Sequence, residues 1–382
     1  MLPQHLSAAL LELDASHSRR TRLTLESPQG AQIRVDGRDY LAFASNDYLG
    51  LANHPALIEA AREGLARWGL GGGASHLVAG HFGAHQQAED ELAAFVGTPA
   101  ALLFGSGYAA NLAVITSLLG RDDAVFADRL NHASLNDACL LSRAAFKRFR
   151  HNDLDHLESL LKSTPARSRL IAVDAVYSMD GDEAPLVELL RLAERYDAWL
   201  YLDDAHGFGV FGEGRGSMAE QGIAGERLIY MATLGKAAGV AGAFVAGSAE
   251  LIDWLVNKAR TYIFTTAQPP ALAEAVRASL SLIAGEPWRR ERLTQHIELL
   301  RHTLSGVKYP LQASRSPIQP LMIGGNEQVM TLSARLRAEG LWVPAIRPPT
   351  VPEGSARLRI SLSAAHEAGQ VQRLADAIIA MS

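Results

Sequence analysis

Short runs of apolar and β-branched residues alternate, through the middle of the chain, with segments whose apolar positions recur at helical spacing. The runs Ile171–Val176 (IAVDAV), Ala198–Ala205 (AWLYLDDA), Arg227–Thr233 (RLIYMAT) and Gly242–Gly247 (GAFVAG) predict buried strands. Between the first two, Leu186, Leu189, Leu190 and Leu192 mark the apolar face of a helix. Strand, helix, strand repetition predicts a mostly parallel sheet covered by helices on both faces. From about Glu286 the pattern changes. A long helix over Trp288–Ser305 leads to QPLMIGG, a helix over Gln328–Glu339, then LWVPAI, ARLRISLS and a terminal helix. The expected fold class is α/β, a large domain with a mostly parallel central sheet plus a smaller C-terminal α+β domain. The Pro-rich stretch Arg347–Pro352 reads as a shaped loop.

A length of 382 residues suits that two-part organisation. With 48% hydrophobic and 20% charged residues, disordered, collagen-like and coiled-coil chains are excluded. A net charge of -5 argues against a nucleic-acid partner held by bulk charge. The single cysteine, Cys139, excludes an internal disulfide framework and fits a reducing, cytoplasmic setting. The N-terminus lacks the basic start and apolar core of a secretory signal and predicts a short amphipathic helix. The uncharged stretch Phe95–Gly120 is long enough to raise a membrane question. Its Pro99, Gly105, Ser106, Gly107 and Asn111 instead predict a strand at Ala101–Phe104, a tight turn and a helix start, with no membrane contact.

Three constellations carry chemistry, all just past predicted strands, where α/β sheets bind ligands. Asp203-Asp204-Ala205-His206 puts a carboxylate at the end of an apolar strand, costly without a charged partner. Lys236 stands among small apolar residues in TLGKAAG, where desolvation lowers a lysine's pKa and favours Schiff-base chemistry. Gly105-Ser106-Gly107-Tyr108 opens a helix whose first N–H groups form an anion site. Each alone fits a structural reading as well: a solvated turn, a loop lysine, an ordinary Gly-rich connection. Together they suit pyridoxal 5'-phosphate. The carboxylate serves the pyridine nitrogen, the lysine the aldehyde and the turn the phosphate. Gly207–Gly212 matches G-x-G-x-x-G, but no helical pattern follows it, and Gly235-Lys236 lacks the rest of a P-loop. His81 and His85 lie four apart with no carboxylate pattern; they are expected at the surface or an interface, and no metal is expected.

Seven further segments make the chain recognisable: SNDYLGL (Ser45–Leu51), DRLNHASLNDA (Asp128–Ala138), YSMDGD (Tyr177–Asp182), LDDAHGFGVFGEGRG (Leu202–Gly216), TLGKA (Thr233–Ala237), IFTTAQPP (Ile263–Pro270) and AIRPPTVPEGSARLRISLSAAH (Ala345–His366). In these the chain resembles the α-oxoamine synthases, a branch of the fold-type-I pyridoxal-phosphate enzymes. The AIRPPTVP segment points to the branch that joins L-alanine to a pimeloyl thioester rather than to glycine-using relatives. The resemblance implies an N-terminal segment, 1–45, packed with the small domain, a cofactor domain over 46–285 and a small domain over 286–382. It implies Lys236 as the lysine that carries the cofactor and moves the Cα proton. Asp203 would pair with the pyridine nitrogen, His206 with the ring oxygen, and His132 would stack on the ring. Ser178 would approach the same oxygen or the lysine. Ser106, Gly107, Tyr108 and Thr233 would hold the cofactor, and Thr265 or Thr266 would reach a phosphate across a homodimer with a shared active site. Arg359 would bind the amino-acid carboxylate, with Asn46 beside it; Arg20 and Thr350 would contact substrate. Arg357, two residues before Arg359, is assigned to packing or an ion pair. Asp137, Asp180 and Asp182 read as turn or cap residues, and His366 as a helix-start residue. Asp174 stands where the family usually has glutamate. A glycine-using synthase and a non-enzymatic protein on the same scaffold remain the alternatives.

Overall fold

The computed structural model describes residues 3–15, 19 and 22–381. Two short strands, β1 (Gln32–Val35) and β2 (Arg38–Ala42), precede a seven-stranded sheet. Its strands are β3 (Ala100–Phe104), β4 (Ala124–Asp128), β5 (Ala145–Phe149), β6 (Arg169–Asp174), β7 (Ala198–Asp203), β8 (Leu228–Thr233) and β9 (Ala243–Gly247). They lie in the order β3-β9-β8-β7-β6-β4-β5. All neighbours are parallel except β9, which runs antiparallel to both β3 and β8. The mostly parallel expectation therefore holds. Its physical basis is visible along β6, where Ile171 and Val173 join one hydrophobic core while Leu170 and Ala172 join a second. The side chains alternate, and both faces of the sheet are covered.

After the sheet come β10 (Ile318–Gly324), β11 (Leu341–Trp342), β12 (Ala345–Ile346) and β13 (Ala356–Ser361). β13 lies between β10 and β12, antiparallel to both, while β11 adds in parallel to β2. The chain's beginning and its C-terminal part thus share a sheet. The predicted N-terminal helix forms at Gln4–Ala15, but its described side chains are exposed around the turn apart from half-buried Leu10. The amphipathic expectation is corrected there: no buried stripe forms.

β13 meets the large sheet's loops through Arg357. Its guanidinium pairs with Asp180 at 2.7 Å and donates to the Met179 carbonyl at 3.2 Å, and its side chain is 4% exposed. Asp180, read as a turn residue, is the anchor of this ion pair. Arg357→Ala leaves that largely buried carboxylate with the neutral Gln312 amide, at 3.0 Å, in place of a charged partner. The expected loss is about 3 kcal/mol in urea-unfolding free energy; an unchanged midpoint contradicts the anchoring role.

Candidate active site

Parallel strands deliver their C-terminal ends to one edge of the sheet. β7 ends at Asp203 and β6 at Asp174, and strand register places these two residues side by side. Lys236 follows three residues after β8 ends at Thr233. Past β3, Ser106 caps the helix Gly107–Leu118, its Oγ accepting from the Ala109 N–H at 3.2 Å. Past β4, His132 caps the helix Ala133–Ser142. These ends enclose a cavity of about 200 Å³, lined among others by Gly107, Tyr108, His132, Ser178, Asp203, His206, Thr233 and Lys236.

Lys236 Nζ lies 2.8 Å from His206 Nε2, and His206 Nδ1 lies 2.7 Å from the Tyr48 hydroxyl. Tyr48 also reaches Asn46 Oδ1 at 3.1 Å; donating there, it receives the His206 Nδ1–H. That tautomer turns the Nε2 lone pair toward Lys236. Burial brings the Lys236 ammonium down to about 8, against the opposing pull of Asp203 and Asp174. Burial, with the charges of Lys236 and Arg359, holds His206 well below the ordinary imidazole range. The consequence is measurable in the cofactor-free chain. Carbamylation of Lys236 by cyanate should rise with pH through a midpoint near 8, because the ammonium below that pH has no lone pair. A midpoint near that of ordinary lysines contradicts it.

Asp203 Oδ1 accepts from the Ala205 N–H at 3.1 Å and Oδ2 from Asn111 Nδ2 at 2.8 Å. Asn111 also donates to Ser134 at 2.8 Å and accepts from the Tyr201 hydroxyl at 2.6 Å. Ser134 Oγ stands 2.7 Å from His132 Nδ1, so one amide links the Asp203 carboxylate to the His132 imidazole. Burial, then the adjacent Asp203, raises Asp174 well above the usual carboxylate range. One Asp174 oxygen accepts from the His132 N–H at 3.0 Å; the other is buried without a partner on the cavity wall.

Arg359 is buried but does not line the cavity. Its Nε donates to the Ser178 carbonyl at 2.6 Å and Nη1 to Ser361 at 2.8 Å. Asn46 Oδ1 sits 3.3 Å from both Nη atoms, at the end of the guanidinium that a carboxylate would face. Thr233 lines the cavity with its hydroxyl given to the Gly242 carbonyl at 3.0 Å. Thr265, Thr266 and Thr350 are exposed and lie outside the cavity. Arg20 lies outside the described residues.

Several assignments change. Asp137 is no cap: it lies within the helix Ala133–Ser142 and accepts from the Tyr108 hydroxyl. Asp182 pairs with His151 at 2.7 Å, and His151 also meets Asp128 at 3.1 Å; the two acceptors, outweighing burial, raise His151 to about 10. His366 is buried, stacked on Phe43 and 2.9 Å from the Ala42 carbonyl. His85 is 1% exposed rather than at the surface, and His81 precedes the helix Gly83–Val96 instead of sharing it. Of the G-x-G-x-x-G glycines only Gly207 lies against Asp204, which accepts from Ser217 and Tyr230; a Cβ on Gly209 would meet Ala237 and one on Gly212 the Glu220 backbone. A Cβ on Gly207 would lie 2.1 Å from that carboxylate and one on Gly216 2.3 Å from it. Tyr48, Asn111 and Ser134 were missed. Asn111 left a signal, as the one amide in the uncharged helix Gly107–Leu118.

The donor set fits pyridoxal 5'-phosphate. A carboxylate and a lysine amine line the same cavity, the His132 and His206 imidazoles flank them, and the helix at Gly107 supplies N–H groups without intrahelical partners. The unpartnered Asp174 oxygen, costly if left bare, marks a wall built to meet a polar ligand.

The family model for aminotransferases of class I and II matches residues 38–378. The chain is similar to an 8-amino-7-oxononanoate synthase of Chromobacterium violaceum, 67% identical with 98% of each chain covered. It is similar in structure to a serine palmitoyltransferase from S. paucimobilis with bound PLP: TM-score 0.92, 31% identity, 99% of this chain and 96% of that one covered. It also resembles the solved 8-amino-7-oxononanoate synthase of Francisella tularensis, with TM-score 0.78, 30% identity, and 89% and 97% covered.

Proposed function

From the premise that this chain belongs to the class I and II aminotransferase family, and shares 67% identity with an 8-amino-7-oxononanoate synthase, we propose its reaction. It is a pyridoxal-phosphate-dependent acyltransferase that condenses L-alanine with a pimeloyl thioester. The products are 8-amino-7-oxononanoate, carbon dioxide and free thiol, in biotin biosynthesis. The observation that carries this reading is the hydrogen-bonded Lys236–His206–Tyr48 chain ending at the Asn46–Arg359 pair, in one site with Asp203.

When bound, the cofactor supplies a protonated pyridine ring that draws electron density from the amino acid's Cα. Asp203 holds the proton on the ring nitrogen, and Asn111 fixes the carboxylate's angle. Arg359 takes the alanine carboxylate in the fork now filled by Asn46 Oδ1. Holding that carboxylate fixes which Cα bond stands toward the lysine. Lys236, with its pKa lowered to about 8, is partly the free amine at neutral pH and removes the Cα proton. Neutral His206 accepts at Nε2 or, with its proton moved, donates to the ring oxygen. Ser178 lines the same wall, its backbone tied to Arg359.

Homodimerisation belongs to the same proposal. Exposed Thr265 and Thr266, unused by the chain's own cavity, suit a phosphate in a partner's site. So does the domain division at 45 and 285, with the N-terminal segment serving the small domain, and a cytoplasmic location. Among the described residues no helix is long and apolar enough to cross a membrane. A substrate panel tests the reaction. Thiol release should be rapid with L-alanine and pimeloyl-CoA and far slower with glycine and acetyl-CoA; the reverse order assigns the glycine-using alternative. No thiol release with any pair assigns a non-enzymatic scaffold.

A further inference from the structure

Away from the cavity just described, His76, His81 and His85 bring candidate ligand atoms within 4.8 Å of one another. His76 opens the single turn His76–Gly80, His81 follows it, and His85 lies on the first turn of the helix Gly83–Val96. His76 and His81 border a second cavity of about 680 Å³, with Gln86 and Glu89 on its wall. His81 Nε2 faces Gln86 Oε1 at 3.2 Å and the Glu89 carboxylate at 4.0 Å. Gln86 Oε1, accepting there, keeps the proton on Nε2 and leaves Nδ1 as the lone pair, the arrangement that orients metal-binding histidines. That Nδ1 lies 3.0 Å from His76 Nδ1. Two imidazole nitrogens on a tetrahedral zinc ion stand about 3.3 Å apart, given bonds of about 2.0–2.1 Å. The pair needs to open by only a few tenths of an ångström.

The His76 ring is already fixed. It stacks on Tyr262 at 4.8 Å and meets His85 edge-on at 4.9 Å. His85 is 3.1 Å from the Phe82 N–H through Nδ1 and 3.0 Å from the Gln268 carbonyl through Nε2. It can join an ion by releasing Phe82 while Gln268 holds its other nitrogen.

We propose that His76 and His81, through their Nδ1 atoms, and His85 form a binding site for a zinc-class divalent transition-metal ion, with the fourth position open to the second cavity. The ion would tie the turn at His76 to the helix bearing His85, next to Tyr262. Zinc titration of untagged, chelator-dialysed holoenzyme by calorimetry tests it. One saturable site per chain is expected, with a dissociation constant in the micromolar range or below. His81→Gln, at a partly exposed position, and His76→Gln should each weaken binding at least about tenfold, the size usual for orienting partners alone. His54→Gln and Lys236→Ala should leave binding unchanged. No saturable binding, equal binding in both histidine variants, or binding lost in Lys236→Ala overturns the site.

Discussion

Lys236→Ala is expected to lower turnover by about 10³-fold or more with the fold intact. The lysine is asked for two things: to carry the cofactor and to move the Cα proton. Proton transfer by a placed side chain alone contributes 10²–10⁴-fold, and the covalent role adds to it. The spectrum separates the two. The cofactor-loaded variant should lose the visible absorption of the lysine-bound form, and a small exogenous amine should restore part of the turnover. Near wild-type rates without amine would remove Lys236 from the mechanism. The environment argues against that outcome, since half-buried Lys236 lies 2.8 Å from a histidine whose other nitrogen is already committed to Tyr48.

Asp203→Ala carries the second largest effect, a fall of about 10²–10³-fold in turnover, the scale of losing one preorganised electrostatic partner. Asp203 stands beside Asp174 in strand register, so its removal also takes away a charge that raises Asp174. The single variant therefore reports on both carboxylates. Asp174→Asn and the double variant complete the cycle. Asp174→Asn should cost less than Asp203→Ala, and the two effects should not add. Equal losses from both single variants would contradict Asp203 as the ring-nitrogen partner.

The parts of this site that were legible in sequence are those coded locally. Lys236, Asp203, His206 and Ser106 each follow directly on a run that reads as a strand, and strand ends converge wherever the sheet is parallel. The pairing of Asp174 with Asp203 depends on register between strands, which no local pattern encodes. Asn111 joins Asp203 to Ser134 only after a helix and a strand meet across 92 residues of chain. The histidine cluster was half visible. His81 and His85 stood out by spacing, but His76 arrives through a short turn with no periodic signature. The N-terminal helix shows the opposite failure, since its leucines satisfy helix propensity and find no surface to cover. Thr265, Thr266 and Thr350, carried over from the family's motifs, lie outside the cavity of a single chain.

The contact between Arg359 and the Ser178 carbonyl spans 181 residues. Chains emerge from the ribosome N-terminus first and fold in that order. The seven-stranded sheet needs β9, which ends at Gly247, because β9 lies between edge strand β3 and β8. Every residue lining the cofactor cavity is made by then. Arg359, proposed above to receive the amino acid, lies on β13 and is synthesised well after Gly247. The nascent protein thus acquires its cofactor pocket before it can select an amino acid, an order written into the chain's direction.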